Sequence, residues 1–246
     1  MKPSVLPFVD TPTLINVPYP DALSVVYGEA PVLALKSPLN SHPVLAAKRI
    51  FDLLSSTVLI LFVCSWIFPL MALLIRIESK GPVFFLQRRS GKNGRYFTCI
   101  KFRTMVINPV ADLQPATADD PRITRMGKFL RRHHIDELPQ LLNVWWGAMS
   151  MIGPRPHMIS DDLKYRTILP HYSHRYSVKP GITGLAQVSG DTVLLHTPEQ
   201  MKVRVSHDLY YIRHWSPMVD ARILWYTLFK MAGTRKAPTH RTSYFN

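Results

Sequence analysis

The chain has 246 residues, 47% of them hydrophobic, and 30 Lys and Arg stand against 16 Asp and Glu for a formal charge of +14. That charge calls for anionic partners such as phosphates, nucleic acid or lipid headgroups, while the apolar content excludes a disordered basic tail. Two cysteines, Cys64 and Cys99, without a C-x-x-C pair, exclude a disulfide framework and a cysteine-based zinc site.

Eight prolines fall within residues 1–43, so residues 1–45 read as an extended, poorly ordered leader. It is no signal peptide, because Lys2 is followed by no apolar core of the required length. Residues 46–80 form the second segment. Leu53 to Ile75 runs for 23 residues without a charge, which as a helix would reach about 35 Å and cross a hydrocarbon core of roughly 30 Å. Pro69 should break that helix two-thirds of the way along. Lys48 and Arg49 precede it, and Arg76, Lys80, Arg88 and Arg89 follow it, so both flanks carry the positive charge of a cytoplasmic side. A re-entrant helix bent at Pro69 and a straight span remain equally open on these features, with a buried soluble helix third.

Residues 81–232 are long enough for one globular domain, followed by a basic tail at 233–246. Val83 to Phe85 and Tyr96 to Phe102 read as a hairpin around Gly91-Lys92-Asn93-Gly94. Helices are expected near 124–133, 137–146, 158–168, 199–213 and 218–232, the last suited equally to a membrane interface and to a buried core. The fold class is therefore α+β and mostly helical: a membrane-embedded helix, a cytosolic domain with a small hairpin, and interfacial amphipathic helices.

Residues 76–132 hold 13 Lys and Arg against Glu78, Asp112, Asp119 and Asp120, a surplus of 13 − 4 = +9. The run leads into Asp136-Glu137-Leu138-Pro139-Gln140 at a helix start, with Asp136 at the capping position and Gly147 ending the helix. A carboxylate there stays ionised and shares its surroundings with any bound phosphate, as a nucleophile requires. An acid pair at a helix start is ordinarily just a cap. Pro154-Arg155-Pro156 fixes an arginine for bidentate phosphate contact, and Lys179 stands at the entrance of the rigid turn Pro180-Gly181-Ile182-Thr183-Gly184. Neither a phosphate-binding Gly-x-x-x-x-Gly-Lys loop nor a Gly-x-Ser-x-Gly elbow occurs. His133-His134 is discounted as a metal pair, since adjacent helical side chains diverge.

Taken in order, these motifs resemble the bacterial sugar transferases, the small monotopic polyprenyl-phosphate phosphoglycosyl transferases. The resemblance covers about residues 48–230 and is carried by Lys48 to Asp52, Gly81 to Phe85, Gln87 to Gly91, Lys101 to Met105, Asp120 to Thr124 and Asp136 to Gln140. It continues through Met149 to Pro156, Lys179 to Gly190, Asp208 to Tyr211 and Trp215-Ser216. It implies transfer of a sugar 1-phosphate from a UDP-sugar to undecaprenyl phosphate with release of UMP, on the cytoplasmic face of the bacterial inner membrane. The glycan served would be an exopolysaccharide, capsule, O-antigen or glycoprotein glycan.

The same resemblance makes Asp136 the nucleophile that carries the phosphosugar and Glu137 its partner, with Mg²⁺ as cofactor held by these two acids. Lys101, Arg155 and Asp208 occupy family functional positions, and Arg88, Arg103 and Lys179 complete the candidate phosphate and substrate set. The partners are the UDP-sugar, undecaprenyl phosphate and inner-membrane lipid, with a homodimer allowed and nucleic acid excluded. The family's break is usually Ser-Pro; here it is Phe68-Pro69, which loses a hydroxyl that Ser65, one turn earlier, can replace. The rival functions are a membrane-anchored nucleic-acid-binding protein using the basic run and an inactive scaffold of a glycan assembly complex.

Overall fold

The computed structural model describes residues 37–108, 117, 120–190 and 197–231. Most of the expected leader and the basic tail lie outside the described residues. Folded chain nevertheless begins before the expected boundary at 45. Ser37 donates its hydroxyl to the carbonyl of Ile212, and Leu39 is 3% exposed within the main core. Pro43 starts a helix instead of preventing one, because the first turn has no use for its missing N–H.

A continuous helical run spans His42–Glu78, long and apolar enough to cross a membrane. It consists of α1 (His42–Leu59), one wide π turn (Ile60–Cys64) and α2 (Ser65–Glu78). The irregularity therefore falls upstream of Pro69, which sits inside α2, and corrects the expected break at the proline. The proline ring needs room toward the turn before it, and a turn closed by i→i+5 bonds supplies it. There the Ser65 N–H bonds Ile60 O, and the Ser65 hydroxyl takes the released carbonyl of Leu61 at 2.5 Å.

One side of the run faces the domain: Asp52, Ser56, Cys64, Met71 and Ile75 are buried at intervals of helical turns. The opposite side exposes a stripe that includes Ile50, Leu54, Val58, Phe62 (74% exposed), Trp66 (79%) and Leu70. Both ends of the run are tied to the same domain. At the start, Arg49 donates to the carbonyls of Val144 and Trp145, and Asp52 accepts from Ser150 Oγ and Met151 N. At the end, Glu78 accepts the backbone N–H groups of Arg125 and Met126, a carboxylate at a helix N-terminus.

The hairpin forms around the expected turn, with a first strand β1 (Phe84–Ser90) that runs on past the expected Val83 to Phe85, antiparallel to β2 (Tyr96–Phe102) in the register Phe85↔Lys101, Gln87↔Cys99 and Arg89↔Phe97. Its tight turn holds Asn93 and Gly94 at positive φ. Helices follow at α3 (Arg125–Arg132), α4 (Gln140–Trp146), α5 (Ile159–Ile168), α6 (Leu185–Val188), α7 (Pro198–Arg213) and α8 (Pro217–Met231). Gly147, at φ 90°, ends α4.

The sequence pattern did not announce a second sheet, the parallel pair β3 (Ser150–Ile152) and β4 (Gly181–Thr183). It joins the Gly-Pro-Arg-Pro segment to the Lys-Pro-Gly turn, with Gly153 N on Thr183 O and Gly181 N on Pro154 O, each at 2.9 Å. The two backbones approach so closely that a Cβ on Gly153 or Gly181 would collide with the other segment. Met149, Ile152, Val144, Leu185, Tyr211, Ile212 and Ile223 form the core around this junction.

Candidate active site

Glu137 lies in a single 3₁₀ turn, Ile135–Glu137, between α3 and α4. His134, at φ 55°, turns the chain out of α3; left-handed backbone at a non-glycine residue costs of order 1–2 kcal/mol, which the surrounding contacts must offset. Asp136 therefore does not cap α4, as its position in the sequence suggested. Pro139 occupies that place, and no side chain caps the helix. Asn143 fastens α4 to the edge of the hairpin, accepting from Ile100 N at 3.0 Å and donating to Thr98 O at 2.8 Å. That clamp sets the acid pair beside β2.

Lys101 projects from β2 and donates to Glu137 Oε1 at 2.8 Å. Arg155, locked between its prolines, grips the same carboxylate with two bonds, Nη2 to Oε1 at 2.5 Å and Nη1 to Oε2 at 3.1 Å. Burial by itself would raise the Glu137 carboxyl. The charges of Arg155 and Lys101, with their hydrogen bonds, outweigh burial and hold it well below the ordinary glutamate range. The same pairing pushes the Arg155 guanidinium upward.

Asp136 stands in contrast. It is half-buried, and its carboxylate accepts no hydrogen bond from another described residue. Burial, then the negative Glu137 beside it, raise its carboxyl, against the pull of Lys101, Arg131 and Arg155. Adjacent acids with opposite displacements take different parts. Glu137 is an anchored anion that organises two cations. Asp136 is an unengaged carboxylate under their field.

Arg131 and Arg89 belong to the same surroundings, although neither stood out in the sequence. Arg131 Nε bonds Thr104 Oγ1 at 2.9 Å, and its charge acts on Asp136. Arg89 donates to Pro156 O at 3.1 Å and to the Gln87 side chain, and it feels Arg155 and Glu137. Strand alternation could have found Arg89, because the hairpin register places it on the face of Lys101. Arg88, chosen from the sequence, lies on the other face. Lys101, Arg155, Arg131 and Arg89 against Asp136 and Glu137 leave the site at 4 − 2 = +2, suited to a diphosphate.

Three other candidates stand apart from the acid pair. Arg103 is buried with its guanidinium on Ser79 O (2.7 Å) and Lys80 O (2.6 Å), where it satisfies the carbonyl end of α2. Asp208, 2% exposed, pairs with Arg175 at 2.8 Å. Arg175 in turn donates to Arg155 O at 2.6 Å and contacts His157 Nδ1 at 2.5 Å, so Asp208 reaches the site through Arg175. Burial and then the Arg175 charge hold His157 well below its usual value, so the imidazole is neutral. Lys179 sits beyond the far end of α4, near Gly147 and Arg49. Pro69 lies within α2 on the apolar run.

No cluster of three or more metal-ligating side chains occurs among the described residues. Magnesium seldom needs one, since it is commonly held by one or two carboxylates with substrate phosphates and water. The unengaged oxygens of Asp136, next to Glu137, fit that donor set.

Residues 44–234 match the model of a protein family described as bacterial sugar transferase. The chain is 44% identical over 202 residues to a UDP-glucose:undecaprenyl-phosphate glucose-1-phosphate transferase of Klebsiella pneumoniae, covering 81% of this chain and 43% of that protein. A protein of the same description from Xanthomonas campestris pv. campestris is 46% identical, over 70% of this chain and 36% of that one. The exopolysaccharide production protein PSS of Rhizobium leguminosarum bv. phaseoli is 41% identical, over 75% of this chain and 94% of its own length. The chain thus spans about two-fifths of the first two relatives and nearly all of the third.

Proposed function

Because the chain belongs to the bacterial sugar transferase family, we propose that it moves a sugar 1-phosphate from a UDP-sugar to undecaprenyl phosphate through a covalent intermediate on Asp136. The observation that carries this reading is the division of labour between Asp136, whose carboxylate no described residue hydrogen-bonds, and Glu137, clamped by Lys101 and Arg155.

In the first step an Asp136 oxygen attacks the phosphorus attached to the sugar. The bond from that phosphorus to the bridging oxygen breaks, and UMP leaves with the oxygen and its electron pair. In the second step an oxygen of undecaprenyl phosphate attacks the same phosphorus, the Asp136–phosphorus bond breaks, and the carboxylate is restored. Dividing the transfer lets one site serve a soluble donor and a lipid acceptor in turn. Arg155 and Lys101 stay fixed on Glu137 while presenting positive charge to the phosphoryl oxygens, so little reorganisation accompanies the charge shift. Arg131 and Arg89 add to that field. Mg²⁺ would be held by the unengaged oxygens of Asp136 with Glu137 alongside, and would neutralise phosphate charge there.

The His42–Glu78 run serves as the membrane element, and the attachment of both its ends to one domain supports a re-entrant course from the cytoplasmic face of the inner membrane. The exposed stripe of α1 and α2 faces lipid, and α8 adds exposed Trp225 and Leu228. The non-catalytic rivals fit less well. Three cations of the basic run are turned inward, Lys101 on Glu137, Arg103 on carbonyls and Arg122 on Asp120, and are not offered to nucleic acid.

The test is UMP release by the full chain in nanodiscs with Mg²⁺, undecaprenyl phosphate and a panel of UDP-sugars, UDP-glucose first. Release with one donor, abolished in Asp136→Asn, and a phosphosugar adduct on the wild-type chain by intact mass are expected. Release that survives Asp136→Asn would refute the nucleophile, and donor binding without turnover across the panel would favour the scaffold.

A further inference from the structure

A second concentration of charge lies past the end of α4 opposite the acid pair, the helix itself being about 10 Å long. A cavity of about 160 Å³ opens at the foot of α1, lined by Lys48, Arg49, Lys92 and Lys179 with Asp52 as its one acid. Its volume is roughly that of five waters. Apolar side chains, among them Leu39, Ile152 and Val178, form part of its wall.

Two of the four cations are already engaged. Lys48 pairs with Asp220 at 2.6 Å, and Arg49 closes the carbonyl end of α4. Lys92 and Lys179 neither donate a hydrogen bond to nor form an ion pair with another described residue. Asp52 accepts from the neutral donors Ser150 and Met151 and keeps its charge, so the four cations against Asp52 and the Asp220 bound by Lys48 leave a surplus of 4 − 2 = +2. Burial, then the neighbouring Arg49, depress the Lys179 ammonium. Like charges converging on a cavity cost free energy that a bound anion would remove.

Position narrows the anion. The cavity is bordered by the stretch of α1 where the outward stripe begins at Ile50 and Phe51, and Trp145 and Trp146 are exposed beside the carbonyls that Arg49 holds. Indole rings of this kind favour the headgroup level of a bilayer. We propose that this cavity binds a phosphate group, supplied by an anionic lipid headgroup or by free phosphate, with Lys92 and Lys179 as its principal ligands. The site is separate from Asp136 and does not depend on the transfer reaction.

The test uses the full chain in detergent, with native mass spectrometry counting bound phosphatidylglycerol, phosphatidylcholine and inorganic phosphate. Wild type should retain one phosphatidylglycerol in preference to phosphatidylcholine. Lys92→Met should weaken it about tenfold, and Lys92→Met with Lys179→Met by considerably more. Lys164→Met, on the exposed side of α5, serves as the control. Binding of inorganic phosphate with the same dependence on the two lysines, and no lipid preference, would assign the site to free phosphate. Equal retention by wild type and both lysine variants, with unchanged melting temperatures, would overturn the proposal. Lys92 sits in the hairpin turn and is not buried, so its variant keeps the test open if Lys179→Met fails to fold. Repeating the series in Asp136→Asn separates this outcome from the fate of the transfer reading.

Discussion

Replacing Glu137 by Gln keeps the shape of the side chain and removes the charge that three bonds converge on, from Lys101 at 2.8 Å and from Arg155 at 2.5 and 3.1 Å. Charge-assisted bonds contribute roughly 1 kcal/mol more than neutral ones, so the substitution should cost about 3 kcal/mol, the lower end for breaking a buried pair. In a chain of this size that lowers the melting temperature by about 6–12 °C. The depressed Glu137 carboxyl contributes its full stabilisation above the unfolded value, and that contribution is lost as pH falls through the folded one. The difference between wild type and Glu137→Gln should therefore narrow on acidification. Activity should respond in its own way. A nucleophilic Asp136 must be ionised, so the acid limb of kcat/KM follows its carboxyl, which burial and then Glu137 raise in the metal-free protein. Without the neighbouring charge that limb should move to lower pH, while the rate falls because Arg155 and Lys101 lose their anchor. Thermal unfolding in detergent at several pH values and a pH–rate profile test both. A melting shift under about 2 °C together with an unmoved acid limb would refute the electrostatic account of the pair.

Arg175→Lys keeps a positive charge for Asp208 but cannot reproduce simultaneous contacts to Asp208, His157 and Arg155 O, and should cost about 1–3 kcal/mol for the hydrogen bonds left unmade, read as a lowered unfolding midpoint. Its kcat should fall, with Asp208→Asn showing a smaller loss in the same direction. Gly181→Ala places a methyl group into the Gly153 backbone and should destabilise by about 1–3 kcal/mol or more, whereas Gly94→Ala, with open space but φ 72°, should cost less. Ser65→Ala removes the hydroxyl on Leu61 O in an apolar setting; the expected cost is about 1–3 kcal/mol, measured by thermal unfolding.

Much of the fold was legible where the chain itself carries the signal. The hairpin appeared from alternation and a Gly-Lys-Asn-Gly turn, and the long helices from apolar spacing, because both patterns arise between residues a few positions apart. The acid pair and the Pro-Arg-Pro arginine stood out for the same reason, their local chemistry being unusual. The π turn before Pro69 was not legible, since the proline marks a missing bond but not where the helix accommodates it. Nor was the β3–β4 pairing, whose three-residue strands show no alternation and meet across a separation of about thirty residues.

The roles of the cations depended most on tertiary structure. Arg88, Arg103 and Lys179 looked like Lys101 and Arg155 in sequence, as members of one basic run or rigid turn. Packing turned Arg103 to the carbonyls of Ser79 and Lys80 just past α2, sent Lys179 to the far end of α4, and brought Arg89 to the face of Lys101. Asp208 reaches the site only through Arg175. A long flexible cation is directed by whichever carboxylate or carbonyl the fold brings within reach, and those partners lie tens of residues away in the chain. Sequence by itself determined the kinds of groups present and the local elements that carry them; the tertiary structure decided which charges meet, because those attractions act across space between distant segments.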